Sequence, residues 1–495
     1  MKITTSGVSA EEIKTSALVL PVSEDNWKKE IVEIDGLFDK KLSTAGIEDD
    51  FKPTVGSMLM LRTFEKNPAK VILLGLGKKD KITTTQIRKA LAGLANYIKN
   101  SKIATVAIQT DTQALTELDK FDLGKVMTEG IMLGSYTYDK YKSKKEIRVI
   151  SEYTFITSKA EIEIEKGIAE GMVFAEATIL ARDLINESPT ITTPTYLAKE
   201  ALKLAGNGIT VEILEKKDVE KLGMGAYLAV TRGSDEPPKF IKLEYKNGGP
   251  PGGEASKKVV IAGKGITFDT GGLSLKDAKN MEAMKLDMSG AAAVLGVFSV
   301  LEKLKPKVTV IGLIAACENM PGAKAIKPGD VVRAMNGKTI EILNTDAEGR
   351  LTLADVLSYA VKEKPDYMID LATLTGACMV ALGDEIAGLF SNNADFTKQI
   401  TTAAKAEGEK VWELPLEEDY KPLIKSHIAD IENIGKTRYG GAITAALFLE
   451  EFVDGKPWIH LDIAGPAFAE KDAPLTPKGG VGFGVRMLLE WLKGF

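Results

Sequence analysis

Residues 258–272, KVVIAGKGITFDTGG, decide the architecture. From 258 to 262 the run is aliphatic without polar alternation, the composition of a strand buried on both faces of a sheet covered by helices. It then passes into glycines around Asp269, and open α/β sheets place their ligands where strands run out into such loops. Segments 240–245, 308–316, 367–372 and 458–463 read as strands of the same buried kind. Helical stretches at 289–304, 352–362 and 442–452 lie between them, as a mostly parallel sheet requires.

The N-terminal part has its own α/β pattern. Strands are expected at 16–21, 70–76 and 104–109, and helices at 85–99 and 115–133. A lysine-rich stretch, KYKSKKEIR from Lys140, closes this unit, and a helical run over 159–184 comes next as a connector. The turn-rich NESPTITTP at 186–194 opens another helix at Tyr196 with Thr193 as its N-cap. The expected division is therefore 1–155, a connector at 156–190, and 191–495. GGPPGGE, from Gly248, reads as a flexible surface hairpin or insertion.

A chain of 495 residues with 44% hydrophobic and 27% charged residues is an ordinary globular protein of several folded units. Its net charge of −5 argues against a surface built for bulk nucleic-acid binding, and the first 150 residues carry 24 basic against 20 acidic groups. Only Cys317 and Cys378 are present, without a CxxC pair, so no disulfide framework or thiolate zinc site is available and a reducing compartment fits. The N-terminus lacks the apolar stretch of a secretory signal, and the apolar run VTVIGLIAAC is half a bilayer span, which points to the cytoplasm and away from membranes. With only His427 and His460, histidine cages are excluded; oxygen ligands must hold any metal.

Acidic residues recur beside glycines in GKGITFDTGG, MKLDMSGAAA and NTDAEGRL. A single aspartate in a loop is more often a turn or cap than a ligand. Asp269, Asp287, Asp346 and Glu348 together, however, would repel one another unless cations balanced them, and two divalent ions supply that balance. Mg²⁺, Mn²⁺ and Zn²⁺ all accept such oxygen ligands and would activate a bridging water. Lys264 and Lys276 flank Asp269 in a stretch made largely of small and apolar residues, which favours a site over a set of turns.

NTDAEGRL, together with GKGITFDTGG, MKLDMSGAA, LATLTGA and WIHLDIAG, resembles the leucyl aminopeptidase family of cytosolic metallo-aminopeptidases. ARDLINESP, GSDEPPKF and NIGKTRYGGAITAALFLEEF extend the resemblance over most of the chain, and the first 125 residues carry least of it. It implies a macro-like N-terminal α/β domain and a larger C-terminal α/β catalytic domain. By resemblance, Asp269 and Glu348 bridge two metal ions, Lys264 and Asp287 complete one shell, and Asp346 binds the other ion through side chain and backbone. A liganding lysine must be a neutral amine, which an adjacent dication favours. Lys276 and Arg350 are the implied catalytic positions: Lys276 stabilises the oxyanion, and Arg350 holds a bicarbonate ion acting as general base. The substrate pocket is implied near Met284, Thr373, Leu374, Gly376, Ala464 and Ala467, of which Ala467 replaces a larger residue often found there and Thr270 stands where serine is frequent.

The implied reaction is hydrolysis of the first bond of peptides with a free N-terminus, with leucine and other apolar first residues preferred. A homohexamer is implied as well. Some bacterial relatives also act as DNA-binding architectural proteins, an alternative that the near-balanced charge of the N-terminal part disfavours. Macro domains elsewhere bind ADP-ribose, but no phosphate loop is evident here, so a structural or assembly role is expected. GLGKK at Gly75 and GGVGFG at Gly479 lack the spacing of nucleotide loops, and His460 reads as a hydrogen-bonded core residue.

Overall fold

The computed structural model describes every residue except 11, 26, 36–49, 64–66, 100, 102, 146–149, 159–160, 207 and 247–256. The GGPPGGE loop and the end of the lysine-rich stretch lie outside the described residues. The chain divides into two compact units, Met1–Glu176 with Lys471–Pro477, and Ala177–Glu470 with Lys478–Phe495. The long helix Glu161–Asn186 is shared between them.

The first unit is built on a six-stranded sheet in the order Lys2–Ser6, Glu152–Ile156, Thr105–Gln109, Ala17–Val22, Lys70–Gly75, Met58–Arg62. All neighbours are parallel except the last pair. The inner strands are aliphatic and buried on both faces, the pattern expected of parallel sheets. Helices Thr84–Lys99 and Lys120–Gly134 pack against each other, with Arg88 and Glu129 paired at 2.5 Å inside the contact. Glycines permit the closeness, a Cβ on Gly134 falling 2.5 Å from the Ala92 carbonyl oxygen, and they also let the helix Glu161–Asn186 approach Lys120–Gly134, where a Cβ on Gly167 would fall 2.1 Å from the carbonyl oxygen of Phe121.

The second unit carries an eight-stranded mixed sheet. Its order is Lys410–Glu413, Ile386–Ser391, Trp458–Asp462, Tyr367–Ala372, Lys258–Asp269, Thr309–Asn319, Lys239–Tyr245, Ile209–Leu214. The four strands from Trp458–Asp462 to Thr309–Asn319 run parallel to one another, while the two beyond Thr309–Asn319 are joined by antiparallel pairings. Helices Ser289–Phe298 and Gly349–Lys362 pack against Lys258–Asp269. The first of these ends at Phe298 and resumes as the short Leu301–Leu304, so the single helix expected over 289–304 is broken. Among the described residues, no helix is long and apolar enough to cross a membrane.

Candidate metal centre

Three structural devices bring the acidic segments together. The strand Lys258–Asp269 is one residue longer than its neighbour Thr309–Asn319: Cys317 pairs with Ile266 and Glu318 with Phe268, leaving Thr267 unpaired. Such a bulge bends a strand and re-aims the side chains beyond it, and Lys264 and Asp269 both reach one cluster. Next, the turn bearing Asp287 leads into helix Ser289–Phe298 across Gly290, where a Cβ would lie 2.3 Å from the Leu371 carbonyl oxygen. Only glycine allows that turn to lie directly on the sheet. Last, the loop of Asp346 and Glu348 is stitched to the loop after Asp269. Thr345 Oγ1 donates to Gly271 O at 2.7 Å and accepts from Ser274 N at 2.8 Å, while Thr345 N donates to Ser274 Oγ at 3.1 Å.

Carboxylate oxygens of Asp269, Asp346 and Glu348 lie within 4.8 Å of one another. Lys264 Nζ stands between Asp287 Oδ1 at 2.7 Å and Glu348 Oε1 at 2.9 Å, and also donates to Thr373 O at 2.9 Å. Lys276 Nζ stands between Asp269 Oδ2 at 3.0 Å and Asp346 Oδ1 at 2.5 Å. All four acids and both lysines thus form one largely buried constellation. Burial opposes the charge of Lys264, but Asp287, Glu348 and Asp269 outweigh it and hold the ammonium above the ordinary lysine range. Lys276 is raised in the same way, burial being overcome by Asp269 and Asp346. Burial pushes the carboxyls of Asp287, Asp346 and Glu348 above the usual carboxylate range, so their charges depend on cations held among them.

Arg350 opens the helix Gly349–Lys362 just beyond Glu348. Its Nη1 donates to Asn433 O at 2.8 Å, and burial lowers the guanidinium to about 10, which leaves it cationic at neutral pH. Arg350 lines a cavity of about 380 Å³ with Lys436 and Arg438, and its Nε is buried without a hydrogen-bond partner.

Of the expected pocket residues, Thr373 donates its hydroxyl to Asp287 Oδ1 at 2.8 Å, and Met284 begins the short helix that carries Asp287. Leu374 N and Ala464 N both donate to Asp462 Oδ1 at 3.2 Å, so one carboxylate joins these two segments. Gly376 is exposed at the start of helix Gly376–Leu382, whereas Ala467 is 1% exposed and offers almost no surface. His460 is buried with Nδ1 at 2.6 Å from Asp370 Oδ1, in the core as expected.

Three buried residues of the site had no assigned role in the sequence. Asn319 donates Nδ2 to Asp269 Oδ1 at 2.8 Å and to Thr345 O at 3.1 Å. Asp462 also accepts from Thr375 Oγ1 at 2.6 Å. Asn433 holds the Asp346 loop. Asp462 and Asn433 carry a sequence signal, the first within WIHLDIAG and the second at the head of NIGKTRYGG, and Asn319 only in following the expected strand 308–316; what each one holds is visible only once the chain is folded.

Carboxylates gathered from two turns around the end of a parallel strand in a helix-covered sheet suit a metal-dependent hydrolase. Comparison with known proteins agrees and narrows the class. The profile of the cytosol aminopeptidase family's catalytic domain matches residues 179–489, and that of its N-terminal domain matches residues 19–145. A protein of Alkaliphilus oremlandii named "Probable cytosol aminopeptidase" is 45% identical over 509 residues, covering 100% of this chain and 99% of the relative. One of the same name from Aquifex aeolicus is 46% identical over 447 residues, covering 90% and 88%. A tomato leucine aminopeptidase mutant superposes with a TM-score of 0.91 at 36% identity, covering 100% of this chain and 97% of that one. The bottromycin maturation enzyme BotP in complex with Mn gives 0.86 at 33%, covering 97% and 99%. The chain belongs to the cytosol aminopeptidase family and is a hydrolase of the aminopeptidase class.

Proposed function

We propose that this aminopeptidase uses two divalent ions to remove the first residue of peptides with a free N-terminus, preferring leucine and other apolar side chains. The observation that carries it is the approach of Asp269, Asp346 and Glu348 within 4.8 Å, with Asp287 joined through Lys264. The donor set suits such ions. Asp287 Oδ2 and Glu348 Oε2 are buried and accept no hydrogen bond, so they have surrendered water without gaining a proton donor. Asp269, Asp287, Asp346 and Glu348 would hold the ions, and Lys264 would join them as a neutral amine, its proton displaced by the dications that replace it as partner to Asp287 and Glu348. Mn²⁺ and Zn²⁺ are the preferred occupants, and Mg²⁺ is acceptable to the same oxygens. Such a pair supplies a water acidic enough to attack at neutral pH and a Lewis acid for the scissile carbonyl.

The chain's own groups supply the rest. Lys276, held between Asp269 and Asp346, presents a fixed positive charge to the oxyanion that develops on the substrate. Arg350, with its unpartnered Nε beside a cationic cavity, would hold the bicarbonate ion that takes up the water's proton. Met284, Thr373, Leu374, Gly376 and Ala464 would surround the first side chain, and Ala467, almost without surface, would shape the pocket only from behind them. Apolar pockets separate neighbouring aliphatic side chains by only about 1–3 kcal/mol per methylene, which gives a broad preference. A cytoplasmic homohexamer completes the proposal, on family resemblance alone.

The test is Asp346→Ala assayed on leucine p-nitroanilide. Turnover should vanish while circular dichroism stays that of the wild type; near-normal turnover would exclude this centre. Acetylated peptides should resist cleavage, and equal cutting of free and acetylated substrates would exclude the requirement for a free amine.

A further inference from the structure

The Asp346–Glu348 loop has little regular structure of its own, yet a centre of this kind needs its groups placed to within about 0.5 Å. Asn433 stands where the parallel pair Thr339–Glu341 and Ile431–Glu432 runs out, with its own N–H on Glu341 O at 2.9 Å. It is fully buried. Its Oδ1 accepts from Leu343 N at 2.9 Å and Asn344 N at 3.4 Å. Its Nδ2 donates to Asn344 O at 2.7 Å and Ala347 O at 3.4 Å. The carboxamide therefore grips the loop on both sides of Asp346. Within the loop, Asn344 Oδ1 accepts from Asp346 N at 2.8 Å, which passes the hold to the acidic residue itself. The backbone carbonyl of Asn433 meanwhile receives Arg350 Nη1 at 2.8 Å.

We infer that Asn433 is a positioning residue for hydrolysis: its amide sets the Asp346–Glu348 loop, and its carbonyl sets Arg350, in a common frame. This rests on the two-metal reading above. Both halves of the amide are needed, since one end accepts and the other donates. Aspartate has the same shape and keeps the acceptor toward Leu343 N, but it cannot donate to Asn344 O and Ala347 O. Alanine loses both. Loss of such supporting hydrogen bonds typically weakens metal affinity by about 10–100-fold.

The experiment compares wild type, Asn433→Asp, Asn433→Ala and Asp346→Asn as full chains. Mn²⁺ binding is measured by calorimetry, Mn²⁺ electron paramagnetic resonance reports the paired ions, and kcat and KM are taken on leucine p-nitroanilide. Both Asn433 variants should bind Mn²⁺ at least about 10-fold more weakly. They should also lose the coupled resonance signal and lower kcat with KM nearly unchanged, in chains that still fold although loss of the buried amide's hydrogen bonds lowers the metal-free melting temperature. Wild-type Mn²⁺ affinity and kcat in the Asp variant would overturn the inference. So would failure of both variants to fold, because Asn433 would then be a framework residue. Asp346→Asn separates the two levels. If it also binds Mn²⁺ normally, the metal-centre reading fails; if it alone loses Mn²⁺, only the role of Asn433 fails.

Discussion

Gly349→Ala adds one methyl group at the point where the helix Gly349–Lys362 touches the metal-binding candidates. The new Cβ would fall 2.5 Å from Lys264 Cε, 2.7 Å from Nζ and 2.8 Å from Cδ, where ordinary contact begins at 3.4 Å. The obstruction is a side chain rather than backbone, so the Lys264 stem must retreat by about 1 Å, a displacement that in a catalytic constellation costs about 100-fold. Retreat draws Nζ away from Asp287, Glu348 and Thr373 O, now at 2.7, 2.9 and 2.9 Å. Gly349 is not among the residues of positive φ, and alanine is the better helix former by about 1 kcal/mol, so the fold should survive. A hundredfold loss in kcat/KM corresponds to about 2.7 kcal/mol of transition-state stabilisation. Steady-state hydrolysis of leucine p-nitroanilide, paired with thermal melting, reads both effects. A variant within threefold of wild type in kcat/KM would refute the placement of Lys264 against this helix.

Other parts of the chain can be tested separately. Burial pushes the Asp355 carboxyl up to about 7, although Tyr227 N and Met335 N donate to it at 2.8 and 2.7 Å. The folded carboxyl holds its proton more tightly than the unfolded one, near 4, so this stabilisation is complete in acid and is lost as pH rises toward 7. The stability difference between wild type and Asp355→Asn should therefore shift against wild type by on the order of 1 kcal/mol per pH unit from about pH 5 to 7. Urea titrations would show it, and parallel pH profiles would contradict it. Thr193→Ala removes the cap that accepts from Tyr196 N at 3.3 Å and should cost about 1 kcal/mol in the same assay, with no change marking the cap as idle. Gly167→Ala should destabilise the N-terminal unit by about 1–3 kcal/mol, because its methyl meets backbone rather than a yielding side chain; an unchanged melting temperature would show that the helices can part.

The buried parallel strands were legible because their composition has a single explanation. The strand Tyr367–Ala372 coincides with its expected span, and Thr193 caps the helix Pro194–Leu202 as expected. The edge strand Lys410–Glu413 escaped because it is short and mostly exposed, without a clean alternation. The helix Gly349–Lys362 starts three residues earlier than its apolar pattern, since a glycine and an arginine hide its first turn. The charged members of the site stood out in the sequence because acids beside glycines are chemically conspicuous. The roles of Asn319, Asn433 and Asp462 did not, because an amide or a lone acid at the end of a strand looks like any turn residue until the fold shows what it holds.

The unpaired Thr267 makes the centre a matter of parity. Side chains an odd number of places apart on an unbroken strand leave from opposite faces, and Lys264 and Asp269 are five places apart. They share a pocket because the neighbouring strand skips one residue between them. A one-residue slip of the strand's end against Thr309–Asn319 that irons out the bulge would keep both charged groups and most of the ladder, yet turn the aspartate through the sheet to its far side. The enzyme is thus exposed to a frameshift of space rather than of code, in which every chemical group survives and the site does not.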